Sequence, residues 1–170
     1  MLRFPLFVSL LLSGCDRLPE SFPPPAQRAS LEAPGGLAHF AAMSDPDAAA
    51  YLVKGFREKN DGSWRWAVEH PVMRFYLPAL SQAKFTMAFV LPGQTFRLTG
   101  PVTLTFSING RVLDRARYEK PGEQQYTHQV PPEFLKPQAI NIVAIEPDKV
   151  AAPHPGERLS FLLIRAGFTE

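Results

Sequence analysis

Short runs in which apolar and polar residues alternate fill most of the chain after residue 36. The clearest run is Val102–Ile108, which places its apolar residues on one face and three hydroxyl residues on the other. Asn109-Gly110 follows, and this dipeptide favours a type I′ hairpin turn because both residues tolerate positive φ. Arg111–Tyr118 then returns as the partner strand. An alternation with a period of two predicts β-strands.

Runs of the same kind give about eight predicted strands, separated by Pro, Gly and Asn turn signals. The gaps between them are too short for the helices that a parallel α/β fold requires. We therefore predict an all-β fold, an antiparallel β-sandwich of the jelly-roll type, over residues 37–170. The other predicted strands are Trp64–Glu69, Val72–Leu77, Lys84–Leu91, Gln125–Val130, Ile140–Glu146 and Leu159–Phe168.

One short helix is predicted near the N-terminal end of this domain. Ser44–Asp47 combines a capping residue, a proline at the first helical position and acid in the first turn, and Ala48–Ala50 follows. The helix is expected to stop near Gly55. Tyr51–Val53 can equally begin a strand, so the end of the helix stays open.

Residues 1–14 have the pattern of a secretion signal. Met1–Arg3 carries one positive charge, and Phe4–Leu12 is an apolar run shorter than the roughly 20 residues that span a bilayer. Leu12-Ser13-Gly14-Cys15 ends this run and resembles the lipobox of bacterial lipoproteins. The resemblance implies cleavage before Cys15 and acyl chains, such as palmitate, on that residue. The alternatives are a cleaved signal peptide with a chance cysteine and an uncleaved short anchor.

A lipid on Cys15 would place the protein in the bacterial cell envelope, anchored to a membrane by several acyl chains. Asp16 resembles a retention signal for the inner membrane, but the sequence leaves open which membrane and which leaflet the anchor occupies.

Residues 15–36 are predicted to form a Pro-rich tether. They include Pro19, Pro23–Pro25 and Pro34, without a helical or alternating period. Proline favours polyproline II, so the tether is semi-rigid and holds the folded domain off the membrane. A docking peptide for an SH3-like groove is the less favoured interpretation, because no clear Pro-x-x-Pro motif with flanking basic residues is present.

Composition excludes several classes of protein. The single cysteine excludes a disulfide scaffold and a Cys-based zinc site. The 18 basic and 16 acidic residues give a net charge of +2, without the basic excess that nucleic-acid binding needs. We therefore expect no nucleic-acid partner, no metal and no cofactor. The four histidines lack the spacing of metal ligands: His39, His70, His128 and His154.

No catalytic residue is predicted. The sequence has no nucleophile elbow and no glycine loop for phosphate, and lipidation would consume Cys15. A glycosidase needs two convergent carboxylates, which a sequence does not reveal. We expect a protein that is not an enzyme, with an unmarked hydrolase as the less favoured interpretation.

The predicted sandwich contains five short motifs: Gly55–Glu58, Trp64–Trp66, Ile108–Gly110, Val130–Leu135 and Glu157–Phe161. Together these motifs resemble jelly-roll modules of the galactose-binding-like superfamily. The resemblance covers residues 55 to 170, roughly the predicted sandwich, and implies a fold more than a function. Ser160 stands where glycine is common in such modules.

Aromatic residues are the candidates for ligand binding. Trp64 and Trp66 share a face if they lie in a strand, and an indole is a good platform for the C–H face of a sugar ring. Tyr76 and Tyr118, together with Tyr126, would add amphipathic contacts. Large aromatic side chains are mostly buried, so we expect at least one of the indoles to fill the core instead.

Arg65 lies between the two tryptophans and would point to the opposite face of the strand. We expect it to face solvent or to pair with a carboxylate such as Glu69.

These observations predict a lipid-anchored cell-envelope protein with a noncatalytic β-sandwich that binds a glycan or another envelope ligand. The alternative is a structural or assembly lipoprotein that docks a periplasmic or envelope protein. That alternative predicts a contiguous exposed apolar patch in place of an aromatic cleft.

Overall fold

A computed structural model describes residues 37–58, 62–78 and 82–170. The predicted signal peptide, Cys15 and the tether lie outside the described residues. Within them, antiparallel strands form a β-sandwich, which confirms the predicted fold class. The strands are β1 (Phe40–Ala42), β2 (Leu52–Phe56), β3 (Arg65–Leu77), β4 (Lys84–Leu91), β5 (Val102–Ile108), β6 (Arg111–Tyr118), β7 (Gly122–Gln129), β8 (Ala139–Pro147) and β9 (Leu162–Thr169).

The long strand β3 belongs to both sheets of the sandwich. Arg65 and Trp66 at its start pair with β9, whereas Val72–Leu77 pairs with β8. Sheet 1 therefore runs β3–β9–β4–β7, and sheet 2 runs β3–β8–β5–β6. Two four-stranded sheets in this order form a jelly roll. Strand β1 adds to β9, and β2 adds to β3.

Strand β3 changes partners around His70, which has a φ of +49°. Residues other than glycine rarely adopt such a backbone conformation. Gly55 of β2 packs directly against this point. A Cβ at Gly55 would lie 2.6 Å from the Pro71 Cα and 2.7 Å from the carbonyl oxygens of Glu69 and His70. The close approach of β2 to the backbone of β3 at His70 and Pro71 therefore requires glycine.

Phenylalanine side chains from both sheets fill the core. Phe85 of β4 lies at their centre, with its ring centroid 6.3 Å from that of Phe106 in sheet 2 and 5.4 Å from that of Phe168 in sheet 1. Phe106 also stacks on Tyr126 of β7, with centroids 3.7 Å apart and planes at 8°. Aromatic contacts of this kind join the two sheets. The fully buried phenylalanines are Phe75, Phe85, Phe89, Phe106, Phe161 and Phe168.

All of the predicted strands are present, with two differences in how they are arranged. Trp64–Glu69 and Val72–Leu77, predicted as separate strands, are the two halves of β3. Strand β1 was not predicted, and β2 was given only as the alternative in which Tyr51–Val53 begins a strand. Their sequences are short and lie on the edges of the sheets, where alternation is weak.

The predicted N-terminal helix is reduced to a single 3₁₀ turn at Ala48–Tyr51. The chain then becomes β2, as the alternative for Tyr51–Val53 allowed, because pairing with β3 overrides local helix propensity. One α-helix, α1 (Gly93–Thr99), lies elsewhere, between β4 and β5.

The predicted Asn109-Gly110 turn joins β5 to β6, and both residues have positive φ, 49° and 82°. The Asn109 side chain also forms hydrogen bonds to two other segments of the chain. Its Nδ2 donates to the Phe134 carbonyl at 2.8 Å, and its Oδ1 accepts from the Ile142 amide at 3.0 Å. Asn109 therefore fixes the hairpin to β8.

Candidate functional site

Trp64 and Trp66 lie side by side at the start of β3. Their ring centroids are 6.3 Å apart and their planes meet at 84°, an edge-to-face contact. Arg65 and Ala67 are buried, whereas both indoles are partly exposed. The two indoles, called the indole platform below, therefore lie on the outer face of the sandwich. Neither belongs to the buried core, contrary to the expectation that at least one of them would.

The neighbours of Trp66 come from β9 on one side and from the end of β2 on the other. Leu162 is paired with Trp66 across β9. Arg57 lies opposite Trp66 on the other side, and its backbone N–H donates to the Trp66 carbonyl at 3.0 Å. Residues directly opposite on antiparallel strands present their side chains to the same face. The Arg57 guanidinium forms an ion pair with Glu157, so a charged pair flanks the platform.

This arrangement has the chemistry needed to hold a sugar ring. An indole face offers an apolar surface with a negative quadrupole, which suits the polarised C–H bonds of a pyranose. Arg57 supplies N–H donors and Glu157 supplies carboxylate acceptors, and hydroxyl groups use both. Both side chains are partly exposed, so they are accessible to a ligand beside the platform.

Tyr76 and Tyr118, the other two predicted binding residues, are not part of this platform. Tyr76 lies in the half of β3 that belongs to sheet 2, paired with Ile140 of β8. Tyr118 ends β6 and packs its ring edge-on against Phe89, with centroids 5.1 Å apart. The four predicted residues therefore do not form one site.

Tyr126 belongs to a polar cluster that joins the two sheets at their edge strands. Its hydroxyl donates to Asp114 Oδ2 at 3.2 Å, and His128 Nδ1 lies 3.3 Å from the same oxygen. Asp114 is on β6, whereas Tyr126 and His128 are on β7. Burial, followed by the nearby Asp114 carboxylate, raises the pKa of Tyr118 to about 12. The same two causes raise the pKa of Tyr126 well above its usual range.

The stability of the sandwich is expected to fall as the pH rises from 10 to about 12. Unfolded Tyr118 loses its proton near its ordinary pKa of 10, whereas the folded residue keeps it up to about 12. The tighter proton binding stabilises the folded state below pH 10, and this contribution is lost progressively above that pH. Urea unfolding midpoints should fall across this range, and less steeply in Tyr118→Phe. An equal fall in both proteins would contradict the role of Tyr118.

The prediction that Arg65 faces solvent or pairs with a carboxylate such as Glu69 was wrong. It is 7% exposed, and its Nη1 donates to the Glu58 carbonyl at 3.0 Å. Glu69 forms its ion pair with Arg158 instead. The cause is the alternation of β3, which turns Arg65 inward together with Ala67.

Three of the glutamates in the described residues form ion pairs with arginine. Glu157 is paired with Arg57, Glu69 with Arg158, and Glu119 with Arg117. No group of three or more His, Cys, Asp or Glu in the described ranges is placed to hold a metal ion. Among the helices of those same residues, none has the length and apolar character needed to cross a membrane.

Sequence reasoning missed the pairing of Arg57 with Glu157. The two residues are 100 positions apart, and their separate motifs give no sign that they meet. The signal available was that each residue belongs to one of the short motifs, Arg57 to Gly55–Glu58 and Glu157 to Glu157–Phe161.

Comparison with protein-family models finds no match, and no curated protein matches either. Solved structures match at low similarity. A family 35 carbohydrate-binding module from an environmental isolate is 14% identical, with 80% of this chain and 90% of that chain covered and a TM-score of 0.43. A family 35 carbohydrate-binding module from Clostridium thermocellum is 9% identical, with 71% and 88% covered and a TM-score of 0.41.

A third matching structure is a much longer enzyme, a family GH115 4-O-methyl-α-glucuronidase. It is 10% identical with a TM-score of 0.41, and the match covers 63% of this chain but 14% of the enzyme. These identities and TM-scores are too low to assign a family, a ligand or an activity to this chain.

Proposed function

We propose that this protein is a noncatalytic glycan-binding protein of the bacterial cell envelope. The observation that carries the proposal is the indole platform: two partly exposed tryptophans in edge-to-face contact on the outer face of β3. A sugar ring stacks its C–H face on the exposed indole surface, and its hydroxyl groups bond to Arg57 and Glu157.

The anchoring part of the proposal rests on the sequence. Leu12-Ser13-Gly14-Cys15 supports lipidation of Cys15, and the Pro-rich residues 15–36 support a tether between the lipid and the sandwich. A domain held off the membrane in this way presents its platform to the polymers of the envelope.

The alternative, docking of an envelope protein, is less well supported. A docking face requires a contiguous exposed apolar patch. In the described part of the chain, the exposed large apolar side chains lie on four different elements. They are Val53 of β2, Leu98 of α1, Val112 of β6 and Ile142 of β8.

Alanine at Trp66 is expected to weaken glycan binding by at least about tenfold, which corresponds to about 1.4 kcal/mol. The full chain with Cys15→Ser serves as the soluble parent. A panel of soluble bacterial envelope glycans identifies the ligand by isothermal titration. The chain has two tryptophans, both in the platform, so its intrinsic fluorescence reports directly on ligand stacking.

The matched control is Phe134→Ala. Phe134 is also partly exposed, and the Arg111 guanidinium lies 5.5 Å from its ring centroid, but it belongs to a separate element, the 3₁₀ turn Pro132–Phe134. The control should bind glycan as the parent does. Absence of binding across the whole panel, or equal affinity in Trp66→Ala and the parent, would overturn the proposal.

A further inference from the structure

Strand β2 and the start of β3 form an open pocket that shares only Arg57 with the proposed glycan site. Its volume is about 310 Å³, within the range of small-molecule sites. Apolar and basic side chains share its wall. The lining residues are Ala49, Leu52, Val53, Lys54, Phe56, Arg57, Glu58 and Arg65.

Arg65 is the unusual member of this lining because it is buried. It is 7% exposed, yet its Nε is buried and has no hydrogen-bond partner within the described residues. Its Nη1 has a neutral acceptor, the carbonyl oxygen of Glu58. A buried donor without an acceptor is costly, and a buried charge costs more unless an opposite charge lies beside it.

The charges around the pocket favour binding of an anion. Lys54, Arg57 and Arg65 are cations that line it, and Glu58 is the acidic side chain in the lining. Arg57 is further neutralised by Glu157 outside the pocket. The balance of these five groups is one net positive charge.

We propose that this pocket binds a small carboxylate with a short apolar body. A carboxylate oxygen can accept from a terminal guanidinium nitrogen of Arg65 that reaches the pocket, which places a negative charge beside the buried cation. The apolar body packs against Leu52 and Phe56. The ligand thereby supplies the negative charge that the lining lacks.

The proposal goes beyond glycan binding, since a different face of β3 carries it. Arg65 points inward, whereas Trp64 and Trp66 lie on the outer face. Arg57 lines the pocket and also lies opposite Trp66, beside the indole platform.

Hexanoate is the probe, added to the full chain with Cys15→Ser and followed by titration calorimetry and by ¹⁵N NMR of arginine side chains. Hexanoate is expected to bind, to shift the Nε–H resonance of Arg65 and to slow its exchange with water. Arg65→Met should weaken binding by at least about tenfold. The matched control, Arg115→Met, changes an exposed arginine of β6 outside the pocket and should leave binding unchanged.

Lys54→Glu provides a second test in case Arg65→Met fails to fold. Lys54 is exposed at the rim, so the substitution should preserve the fold while weakening hexanoate binding by charge repulsion. Hexanol or sulfate binding as tightly as hexanoate would overturn the proposal. So would an Arg65 Nε–H resonance that hexanoate does not move.

Discussion

Gly55→Ala is expected to lower the free energy of unfolding by at least about 3 kcal/mol, among the larger effects of a single substitution. Gly55 has a φ of +78°, which costs an alanine about 1–2 kcal/mol. The added methyl would also overlap the backbone of β3 at Pro71, at 2.6 Å. Backbone atoms in a paired strand cannot move aside as a flexible side chain can. The loss is measured by urea unfolding of the Cys15→Ser chain.

Gly93→Ala is the matched control for this substitution. Gly93 begins α1, and a Cβ there would meet nothing within 4 Å. Alanine also has the higher helix propensity, so stability should be unchanged or rise by up to about 1 kcal/mol. Similar losses in both variants would contradict the argument that the approach of β2 to β3 requires glycine.

Phe85→Ala is expected to cost about 3–5 kcal/mol, because it leaves a cavity where the two sheets meet. The Phe85 ring contacts Phe75 and Phe106 of sheet 2, and Tyr126 and Phe168 of sheet 1, at centroid distances of 5.4 to 6.4 Å. Truncation removes all of these contacts at once. The surrounding rings can close the gap only in part, since each is held by its own strand.

Val112→Ala is the control for Phe85→Ala. Val112 is 54% exposed on β6, so its truncation should change the free energy of unfolding by no more than about 0.5 kcal/mol. A loss below about 1 kcal/mol for Phe85→Ala would show that the core is more plastic than its packing indicates. Glycan binding by folded Phe85→Ala should persist, because the indole platform lies outside the core.

The strands were predictable because alternation is a local signal. Val102–Ile108 alternates along its whole length, and the structure buries every second residue of it. Strand β2 does not alternate in this way, and its Gly55 disfavours a strand by itself. It forms because β3 offers it an edge to pair with, and a local pattern does not reveal that edge.

The candidate site was predictable in part. The two-residue spacing of Trp64 and Trp66 predicted that both indoles share one face of the strand. It did not predict that this is the outer face of the sandwich. That choice depends on the register of β3 with β9, which pairs Trp66 with Leu162. The partners Arg57 and Glu157 come from distant parts of the chain, so the fold alone brings them together. Tyr76 and Tyr118 were selected by residue type, which carries no information about position.

The position of β9 determines when sheet 1 can form during synthesis of the chain. Strand β9 is the last strand of the sandwich, yet it lies inside sheet 1, between β4 on one side and β1 and β3 on the other. Sheet 1 therefore cannot close until the ribosome has made residue 169. Before then, β3 and β4 have no common partner, and their apolar faces stay uncovered.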